Sequence, residues 1–357
     1  ARLLLPLAAA AGAACLLRWR GGRAWAQRLE APLLKAEELW CHAPEPPLHG
    51  RLWPPSNGFG DGPPLRVKVL TFNLNWWHLY GVLRGNNGSA GKLLAAAGRP
   101  EPYDLMAFQE CAAPEQVLLD AGLLGGFRAL AMREGDVALC MAYRASAWAL
   151  LAHGQSLVAE DLPAQYCGRR GALWARLRSR RPEGRRTVFF LTHHGPLPIN
   201  TGGICGGKAT AWNLLRTVLE HAEPGDAVVV AGDFNADGGS ETARELGRHL
   251  YRVLSGQRFG GVDRIYSNEA SAPANVMNLG PGGSDHDALS AVLVLGGQKA
   301  AALKAKGPGV PVEQVGPPEQ PTPTEPELEG LEPDDGLFVP SWALPPGRGR
   351  RGGRAAP

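Results

Sequence analysis

Short apolar segments that run into polar residues recur along the chain between Arg66 and Leu295. The first, RVKVLTFNL, alternates its side chains between two faces, and this period of two predicts a strand that ends at Asn73. Continuous runs of apolar, often β-branched residues are typical of buried strands. Such runs and shorter alternating segments predict further strands at or near Tyr103–Phe108, 127–131, 137–143, 148–158, 171–177, Thr187–Thr192, Ala227–Ala231, 262–267 and 288–295.

Segments with helical periodicity separate several of the predicted strands. Lys208–His221 carries Ala211, Leu214 and Val218 on one side, as an amphipathic helix does. The other predicted helices are Ser89–Ala97, the segment from Pro114 to just before Gly122, and Glu241–Leu250. Strands dominate and helices lie between them, so the pattern predicts an α/β fold with two packed sheets flanked by helices.

The two ends of the chain differ in composition from this central part. Residues 1–26 hold an apolar run followed by arginines, which predicts a signal peptide and entry into the secretory pathway, with a membrane anchor or an organelle-targeting segment as alternatives. Residues 27–64 show no sustained hydrophobic period and are predicted to be a linker. Residues 297–357 are rich in Pro, Gly, Glu and Ala and lack the apolar content of a core. We therefore predict one domain over residues 65–296, followed by a disordered tail.

Charge and cysteine usage narrow the functional classes. The 37 Lys and Arg residues against 34 Asp and Glu leave a net charge of +3, so no strong basic field marks a nucleic-acid-binding protein, although an active site can be locally basic. The six cysteines show no CxxC spacing, which disfavours a structural zinc site. Cys140 lies in an apolar run and is predicted to be a buried free thiol. A disulfide between Cys167 and Cys205 is left open.

Polar side chains with metal-binding or catalytic chemistry lie at the ends of five predicted strands. They are Asn73, Glu110, His193 with His194, Asp233 with Asn235, and Asp285 with His286. Each of them alone is also typical of a turn that only reverses the chain. Ligands of α/β sheets usually bind at strand ends, so together these residues favour chemistry. Carboxylate and amide oxygens suit Mg²⁺, Mn²⁺ or Ca²⁺, and the imidazoles are suited to proton transfer near neutral pH.

The segments TFNL, FQE, THHGP, GDFN and SDH resemble the motifs of the endonuclease/exonuclease/phosphatase superfamily, which includes deoxyribonuclease I. They occur in the order and the approximate spacing of that superfamily, over about Arg66–Leu295. The resemblance implies a four-layer α/β sandwich, with two packed mixed β-sheets flanked by helices. It also implies hydrolysis of phosphate esters that depends on a divalent metal, Mg²⁺ or else Mn²⁺ or Ca²⁺.

The resemblance also assigns roles to the metal and water sites. Glu110 resembles the principal metal-binding carboxylate, with Asn73 beside it, and Asp285 resembles a further catalytic acid near the metal. Asp233 resembles the carboxylate that positions or deprotonates the attacking water. Asn235 resembles the residue that binds the scissile phosphate.

Further roles concern the imidazoles and the residues that support them. His286 resembles the catalytic imidazole. His193 resembles the histidine that stabilises the phosphate and protonates the leaving oxygen, with His194 as the alternative at the phosphate. Arg170 matches a basic position that approaches phosphate, or else it is a surface arginine held in a salt bridge. Asp263 matches an aspartate that supports the site, or else it makes only structural hydrogen bonds.

The motifs do not fix the substrate. We predict a nuclease or related phosphodiesterase acting on nucleic acid or another phosphodiester. A phospholipid or inositol-phosphate hydrolase is the alternative, and a non-catalytic binding module is the third hypothesis. Trp76, Trp77 and Tyr80 follow Asn73 closely and are suited to stacking on a base, to contact with a lipid surface or to packing in the core. The sequence indicates no obligate protein partner, and association with a membrane is left open.

Overall fold

Two six-stranded β-sheets form the centre of the computed structural model, which describes residues 41, 46, 48, 50–52, 64–132, 138–181, 186–269 and 273–295. The strands are β1 (Leu65–Asn73), β2 (Leu105–Gln109), β3 (Phe127–Met132), β4 (Leu139–Arg144), β5 (Trp148–Glu160), β6 (Arg169–Ser179), β7 (Thr187–His194), β8 (Ala227–Asp233), β9 (Tyr251–Ser255), β10 (Asp263–Ser267), β11 (Asn275–Asn278) and β12 (Leu289–Leu295). One sheet has the order β11-β12-β1-β2-β4-β3, and the other has the order β5-β6-β7-β8-β10-β9. Both sheets are mixed, because β1–β2 and β7–β8 are parallel pairs among antiparallel ones.

Apolar side chains fill the space between the two sheets. Side chains alternate along each strand, so Val67 and Val69 of β1 share one core with Val229 and Ala231 of β8. The outer face of the first sheet is covered by helices α1 (Ser89–Ala97) and α2 (Pro114–Asp120), and that of the second by α3 (Gly207–His221) and α4 (Glu241–His249). The protein is therefore a four-layer α/β sandwich, as the sequence predicted.

Two strands were missed by the sequence-based prediction. β9 and β11 are short, and each forms one of the two edges of its sheet. All four residues of β11 are exposed, so its sequence carries no apolar run. The other predicted helices and strands are present, with ends shifted by no more than two residues.

Part of the predicted linker packs on the domain instead. Leu52 is 0 % exposed, and its backbone N–H donates to the carbonyl of His249 at 2.9 Å. Arg51 donates through Nη1 to the carbonyl of Gly247 at 2.7 Å. The linker prediction is wrong at these positions, because their partners lie far along the chain and leave no local pattern. The predicted segment 1–26 and the predicted tail 297–357 lie outside the described residues.

A disulfide joins Cys41 to Cys205. Cys205 is therefore not paired with Cys167, which was the pairing that the sequence left open. The bond ties the N-terminal segment to the glycine-rich loop 200–208. Cys140 is a buried free thiol, as predicted, and its Sγ contacts the carbonyl oxygen of Cys111 at 3.0 Å. Within the described ranges, no helix is long and apolar enough to cross a membrane.

Asp104, just before β2, links the two sheets through a buried carboxylate whose side chain is 2 % exposed. It accepts hydrogen bonds from the backbone N–H of Lys68 in the first sheet, at 2.9 Å, and from Trp148 Nε1 in the second, at 3.1 Å. It also forms ion pairs with Arg144 and Arg181. Removing one partner of such a buried network costs about 3 to 5 kcal/mol, so we infer that Asp104 fixes how the sheets pack.

Candidate active site

Four strand ends meet where the two sheets face each other. Asn73 ends β1, Glu110 directly follows β2, and His194 and Asp233 end β7 and β8. Within each sheet, a parallel pair places two of these strand ends side by side. Asn73 Nδ2 donates to Glu110 Oε1 at 3.3 Å and, across the sheets, to Asp233 Oδ2 at 3.0 Å. The structure thus brings these predicted side chains together.

A buried polar layer supports this cluster from below. Gln109 Nε2 donates to Thr71 Oγ1 at 3.1 Å and to Thr192 Oγ1 at 2.9 Å, and so bridges the two sheets. All three side chains are 0 % exposed. The sequence-based analysis assigned no role to them. Each lies in an apolar strand, one or two residues before a candidate site residue. This placement is the feature of the sequence that could have indicated a supporting role.

The pKa values of the two carboxylates of the cluster are shifted in opposite directions. Burial raises the pKa of Glu110, although the positive charge of His286 acts against this. Burial also acts to raise the pKa of Asp233, but the positive charge of His286 and the hydrogen bonds from Asn235 and Asn73 act against it, and the net pKa lies below its ordinary value of 3.8. Asp233 is therefore an anion at neutral pH. Glu110 has a left-handed backbone conformation with φ of 48°, which is costly for a residue with a side chain and often marks a functional site.

His286 and Asp263 form a dyad beside Asp233. His286 Nδ1 lies 2.9 Å from Asp263 Oδ2, and His286 Nε2 lies 3.7 Å from Asp233 Oδ2. Burial acts to lower the pKa of His286, but the charges of Asp263 and Asp233 outweigh it and raise this pKa to about 10. The ring thus carries a proton on Nε2 that points toward the cluster. Asp263 holds the ring in place, as a supporting aspartate would.

His194 faces the carboxylate cluster from the opposite side. In the parallel pairing of β7 and β8, His194 lies opposite Asp233. His194 Nε2 is 3.5 Å from Asp233 Oδ2 and 3.9 Å from Glu110 Oε1. Burial and the adjacent charge of Arg170 hold the pKa of His194 well below its ordinary value of 6.5.

His193 lies on the other face of the same strand, packed toward the helices. Its ring is 0 % exposed and contacts the ring of Phe234 edge-on, with 6.0 Å between the centroids. Nδ1 donates to the carbonyl of Gly171 at 2.7 Å, and Nε2 has no hydrogen-bond partner among the described residues. Burial lowers the pKa of His193 to about 4. The structure therefore places His194, and not His193, at the carboxylate cluster, because neighbouring strand residues point to opposite faces.

Arg170 is buried and contacts the site through His194. Its Nε and Nη2 donate to the two carboxylate oxygens of Asp161, each at 2.8 Å, and its side chain is 2 % exposed. Its Nη1 lies 3.3 Å from His194 Nδ1. The guanidinium of Arg170 forms a buried ion pair, so Arg170 makes neither the predicted phosphate contact nor the alternative salt bridge at the surface.

The turn after Asp233 is fixed by short-range contacts. The backbone N–H of Asn235 donates to Asp233 Oδ1 at 2.9 Å, and Asn235 Nδ2 donates to the carbonyl of Gly195 at 2.9 Å. A Cβ atom at Gly195 would lie 1.8 Å from the Phe234 carbonyl oxygen, so only glycine fits. The amide of Asn235 is therefore held beside Asp233 in a defined orientation.

Asp285 is partly exposed at the edge of the cluster. Ser284 Oγ, which donates to the carbonyl of Asn73 at 2.7 Å, lies 3.4 Å from its Oδ1, and Arg258 Nη1 donates to its backbone carbonyl at 3.0 Å. Its charge raises the pKa of both Glu110 and His286. The Asp285 carboxylate thus lies within electrostatic range of the cluster and still has oxygens to offer a cation.

The sequence matches the model of the Endonuclease/Exonuclease/phosphatase family over residues 70–286, which is more than half of the chain. This chain belongs to that family. No curated protein matches the sequence.

Solved structures of family members share the fold at low sequence identity. A family protein from Bacteroides vulgatus is 15 % identical with a TM-score of 0.51, and the match covers 65 % of this chain and 99 % of that one. A family protein from Bacteroides thetaiotaomicron is 14 % identical with a TM-score of 0.50, covering 65 % and 98 %. A mannosyl-6-phosphatase from Bacteroides thetaiotaomicron is also 14 % identical with a TM-score of 0.50, covering 64 % and 99 %. At these identities the likeness establishes the fold and leaves the substrate open.

The residues present fit the divalent cation that membership of the family implies. Ligand atoms of Asp233, Asp263 and His286 lie within 4.8 Å of one another. Asp263 and His286 already share a hydrogen bond, so we assign them to proton chemistry rather than to the cation. Glu110 and Asn73 instead offer the hard oxygens that a divalent cation prefers. Burial raises the pKa of Glu110, and a divalent cation bound there would favour its charged form.

Asp237 and Asn200 connect the glycine-rich loop 200–208 to the turn after β8. Asn200 Nδ2 donates to Asp237 Oδ2 at 2.8 Å, and the backbone N–H of Asp237 donates to Asn200 Oδ1 at 2.7 Å. The backbone N–H of Asn200 also donates to the carbonyl of Asn235 at 2.7 Å. Because these two loops lie far apart along the chain, no local sequence pattern indicates that they pair.

Proposed function

We propose that this protein hydrolyses phosphate esters with the help of Mg²⁺, or of Mn²⁺ or Ca²⁺, and that its substrate is a phosphodiester such as nucleic acid. One observation carries the proposal. The Asn73 amide bridges Glu110 and Asp233 at 3.3 and 3.0 Å, while His194 and His286 approach Asp233 from two sides at 3.5 and 3.7 Å. Metal-binding oxygens, an anionic base and two imidazoles thus surround one point.

Asp233 is suited to positioning the attacking water. Its carboxylate is buried and anionic, so it can accept a hydrogen bond from a water and hold it in line with the phosphorus atom. A cation held by Glu110, Asn73 and Asp285 would supply the neutralisation of phosphoryl charge.

Three hydrogen-bond donors are suited to the phosphate oxygens. His286 carries its proton on Nε2 toward the cluster, since Asp263 holds Nδ1, and it can donate that proton to an oxygen of the reacting ester. His194 Nε2 and the second amide hydrogen of Asn235 can donate to non-bridging oxygens. Preorganised donors of this kind stabilise the charge that develops in the transition state.

A second candidate function is the hydrolysis of a phospholipid. The backbone N–H of Trp76 donates to the carbonyl of Glu110 at 3.2 Å, which places the following π-helical turn, Trp77–Val82, beside the site. Trp77, Val82 and Leu83 are 36, 58 and 40 % exposed. These apolar side chains are suited to a lipid surface, although an exposed Trp77 is equally suited to stacking on a base.

A substrate panel tests the proposal. Purified full-length protein is incubated with plasmid DNA, single-stranded RNA, sphingomyelin vesicles and an inositol phosphate, each with Mg²⁺, Mn²⁺, Ca²⁺ or a chelator. We expect metal-dependent cleavage of nucleic acid. His286→Asn should remove it, whereas His153→Asn, which changes an exposed histidine of β5, should not.

The outcomes separate the candidates. Turnover of sphingomyelin without cleavage of nucleic acid would select the phospholipid hydrolase. Turnover of the inositol phosphate alone would support the phosphatase alternative. Absence of turnover on all four substrates, with retained binding to one of them, would favour a non-catalytic binding module.

A further inference from the structure

The two histidines at the cluster have opposite partners on their Nδ1 atoms. His286 Nδ1 faces the carboxylate of Asp263 at 2.9 Å, whereas His194 Nδ1 faces the guanidinium of Arg170 at 3.3 Å. A guanidinium only donates hydrogen bonds and has no acceptor. His194 Nδ1 must therefore accept, and the ring hydrogen of His194 must lie on Nε2. That atom is the one nearest to Asp233, at 3.5 Å.

Arg170 is itself rigidly held by a carboxylate whose oxygens are fully used. Asp161 is 0 % exposed and accepts from Arg170 Nε and Nη2, each at 2.8 Å. Asp161 also accepts from the backbone N–H groups of Cys167 at 2.8 Å and Leu197 at 2.7 Å. Leu197 lies three residues beyond His194, so the same carboxylate fixes the guanidinium and the loop that leaves β7. The third nitrogen of the guanidinium is thereby aimed at His194 with little freedom.

We propose that Arg170 is a positioning residue, which holds the ring of His194 with its hydrogen on Nε2 and presents that N–H to a phosphate oxygen. The role in turnover rests on the proposed function, whereas the ring geometry does not. Under this proposal the two imidazoles have different roles. His286, paired with a carboxylate, moves a proton, and His194, paired with a guanidinium, acts as a fixed hydrogen-bond donor.

The tautomer can be measured without any substrate. Full-length protein labelled with ¹⁵N in histidine is studied by long-range ¹H–¹⁵N correlation, and the His194→Gln variant identifies the signal of His194. We expect the hydrogen of His194 on Nε2 and the lone pair on Nδ1. A hydrogen on Nδ1 in the wild-type protein would overturn the proposal, whether or not any phosphate ester is turned over.

A set of variants tests whether Arg170 causes this state. Arg170→Met combined with Asp161→Asn removes both charges together and so leaves no unpaired buried charge. This double variant should populate both tautomers of His194. Arg170→Lys should keep the Nε2–H tautomer, because an ammonium group also only donates.

The matched control uses another arginine of β6. Arg176 donates from Nε to Asp226 Oδ2 at 2.7 Å and contacts no histidine through that pair. Arg176→Met with Asp226→Asn should leave the His194 tautomer unchanged. Unchanged tautomers in both double variants would show that Arg170 serves only packing and would overturn the proposal.

Steady-state kinetics then distinguishes a positioning role of Arg170 from a role in substrate binding. The variant Arg170→Met/Asp161→Asn is assayed on whichever substrate the protein turns over. It should lower kcat by about tenfold or more with little change in KM, because a misplaced hydrogen-bond donor stabilises the transition state less but changes substrate binding little. Arg170→Lys should recover most of that loss. A change in KM alone would contradict the proposed role. If no phosphate ester is turned over, the proposed function fails, and the tautomer measurements still decide the placement of His194 by Arg170.

Discussion

The structure buries His193 on one face of β7 and places His194 on the other, at the carboxylate cluster. The placement of His193 can be tested, because a buried neutral imidazole makes the free energy of unfolding depend on pH. Burial lowers the pKa of His193 from its ordinary value of 6.5 to about 4. In the unfolded chain the ring gains a proton as the pH falls below 6.5, whereas the folded protein resists protonation until about pH 4. A depressed folded pKa of this kind contributes stability that is fully present above 6.5 and is lost as the pH falls toward 4.

The magnitude follows from the two pKa values. At about 1.4 kcal/mol per pKa unit, the difference amounts to about 3 kcal/mol by pH 4, and about 2 kcal/mol has been lost by pH 5. His193→Asn removes this titration, while its amide can still donate to the Gly171 carbonyl that His193 Nδ1 contacts at 2.7 Å. The smaller side chain also leaves a cavity, whose cost does not change with pH.

Urea unfolding of the full-length protein, followed by tryptophan fluorescence, measures the effect. Between about pH 7.5 and about pH 5, the wild type should lose about 2 kcal/mol more of its free energy of unfolding than His193→Asn does. His153→Asn changes an exposed histidine and should follow the wild type. Equal losses in the wild type and in His193→Asn would refute the placement of His193 as a buried neutral ring.

Three further perturbations have defined outcomes. Asp104→Ala should reduce the free energy of unfolding by about 3 to 5 kcal/mol in urea, because it leaves two guanidinium groups without their buried carboxylate. Replacing Cys41 and Cys205 together by Ser should reduce it by about 3 to 5 kcal/mol, since their disulfide closes a loop of 164 residues, and any hydrolytic activity should persist. Mn²⁺ at about one hundred times its Kd should stabilise the wild type by about 2.7 kcal/mol in thermal unfolding and should leave Glu110→Gln unchanged.

A specific result would contradict each of these three predictions. A loss below 1 kcal/mol for Asp104→Ala, of the size that an exposed ion pair gives, would mean that the carboxylate does not link the sheets. A fully stable double Ser variant would show that the N-terminal segment stays docked without its covalent bond. Equal stabilisation of the wild type and Glu110→Gln by Mn²⁺ would place the cation away from Glu110.

Most strands along the chain, and the candidate site residues at their ends, could be predicted from the sequence because both follow a local pattern. Each buried strand is a run of apolar residues, and each functional group ends such a run. The parallel pairs β1–β2 and β7–β8 then collect those ends at facing sheet edges. The edge strand β11 has four exposed residues and carries no such pattern, so it was missed.

The choice between His193 and His194 could not be made from the sequence. Both faces of β7 are apolar, since one packs against the other sheet and the other against helices. Alternation therefore separates the two histidines but does not say which face meets the carboxylates. The register of β7 against β8, which sets His194 opposite Asp233, supplies the answer.

The partners of Arg170 and Cys205 depend on tertiary packing in the same way. Asp161 lies nine residues before Arg170, and the pair meets only because β5 and β6 turn back on each other there. Cys41 lies in a stretch without hydrophobic period, and its bond to Cys205 spans 164 residues. Contacts between residues this far apart leave no pattern in the local sequence. The salt bridge and the disulfide could therefore be identified only from the structure.

The most direct measurement of the central claim is the hydrolysis of a simple activated phosphodiester, bis(p-nitrophenyl) phosphate, by the full-length protein with and without a divalent metal. We predict turnover with Mg²⁺ or Mn²⁺, none with a chelator, and a loss of about a hundredfold or more in kcat/KM for Glu110→Gln, which removes about 3 kcal/mol of transition-state stabilisation. Glu115→Gln, in an exposed glutamate of α2, should behave as the wild type does. Turnover that survives the chelator, or that is equal in Glu110→Gln and the wild type, would contradict a metal-dependent site at these strand ends.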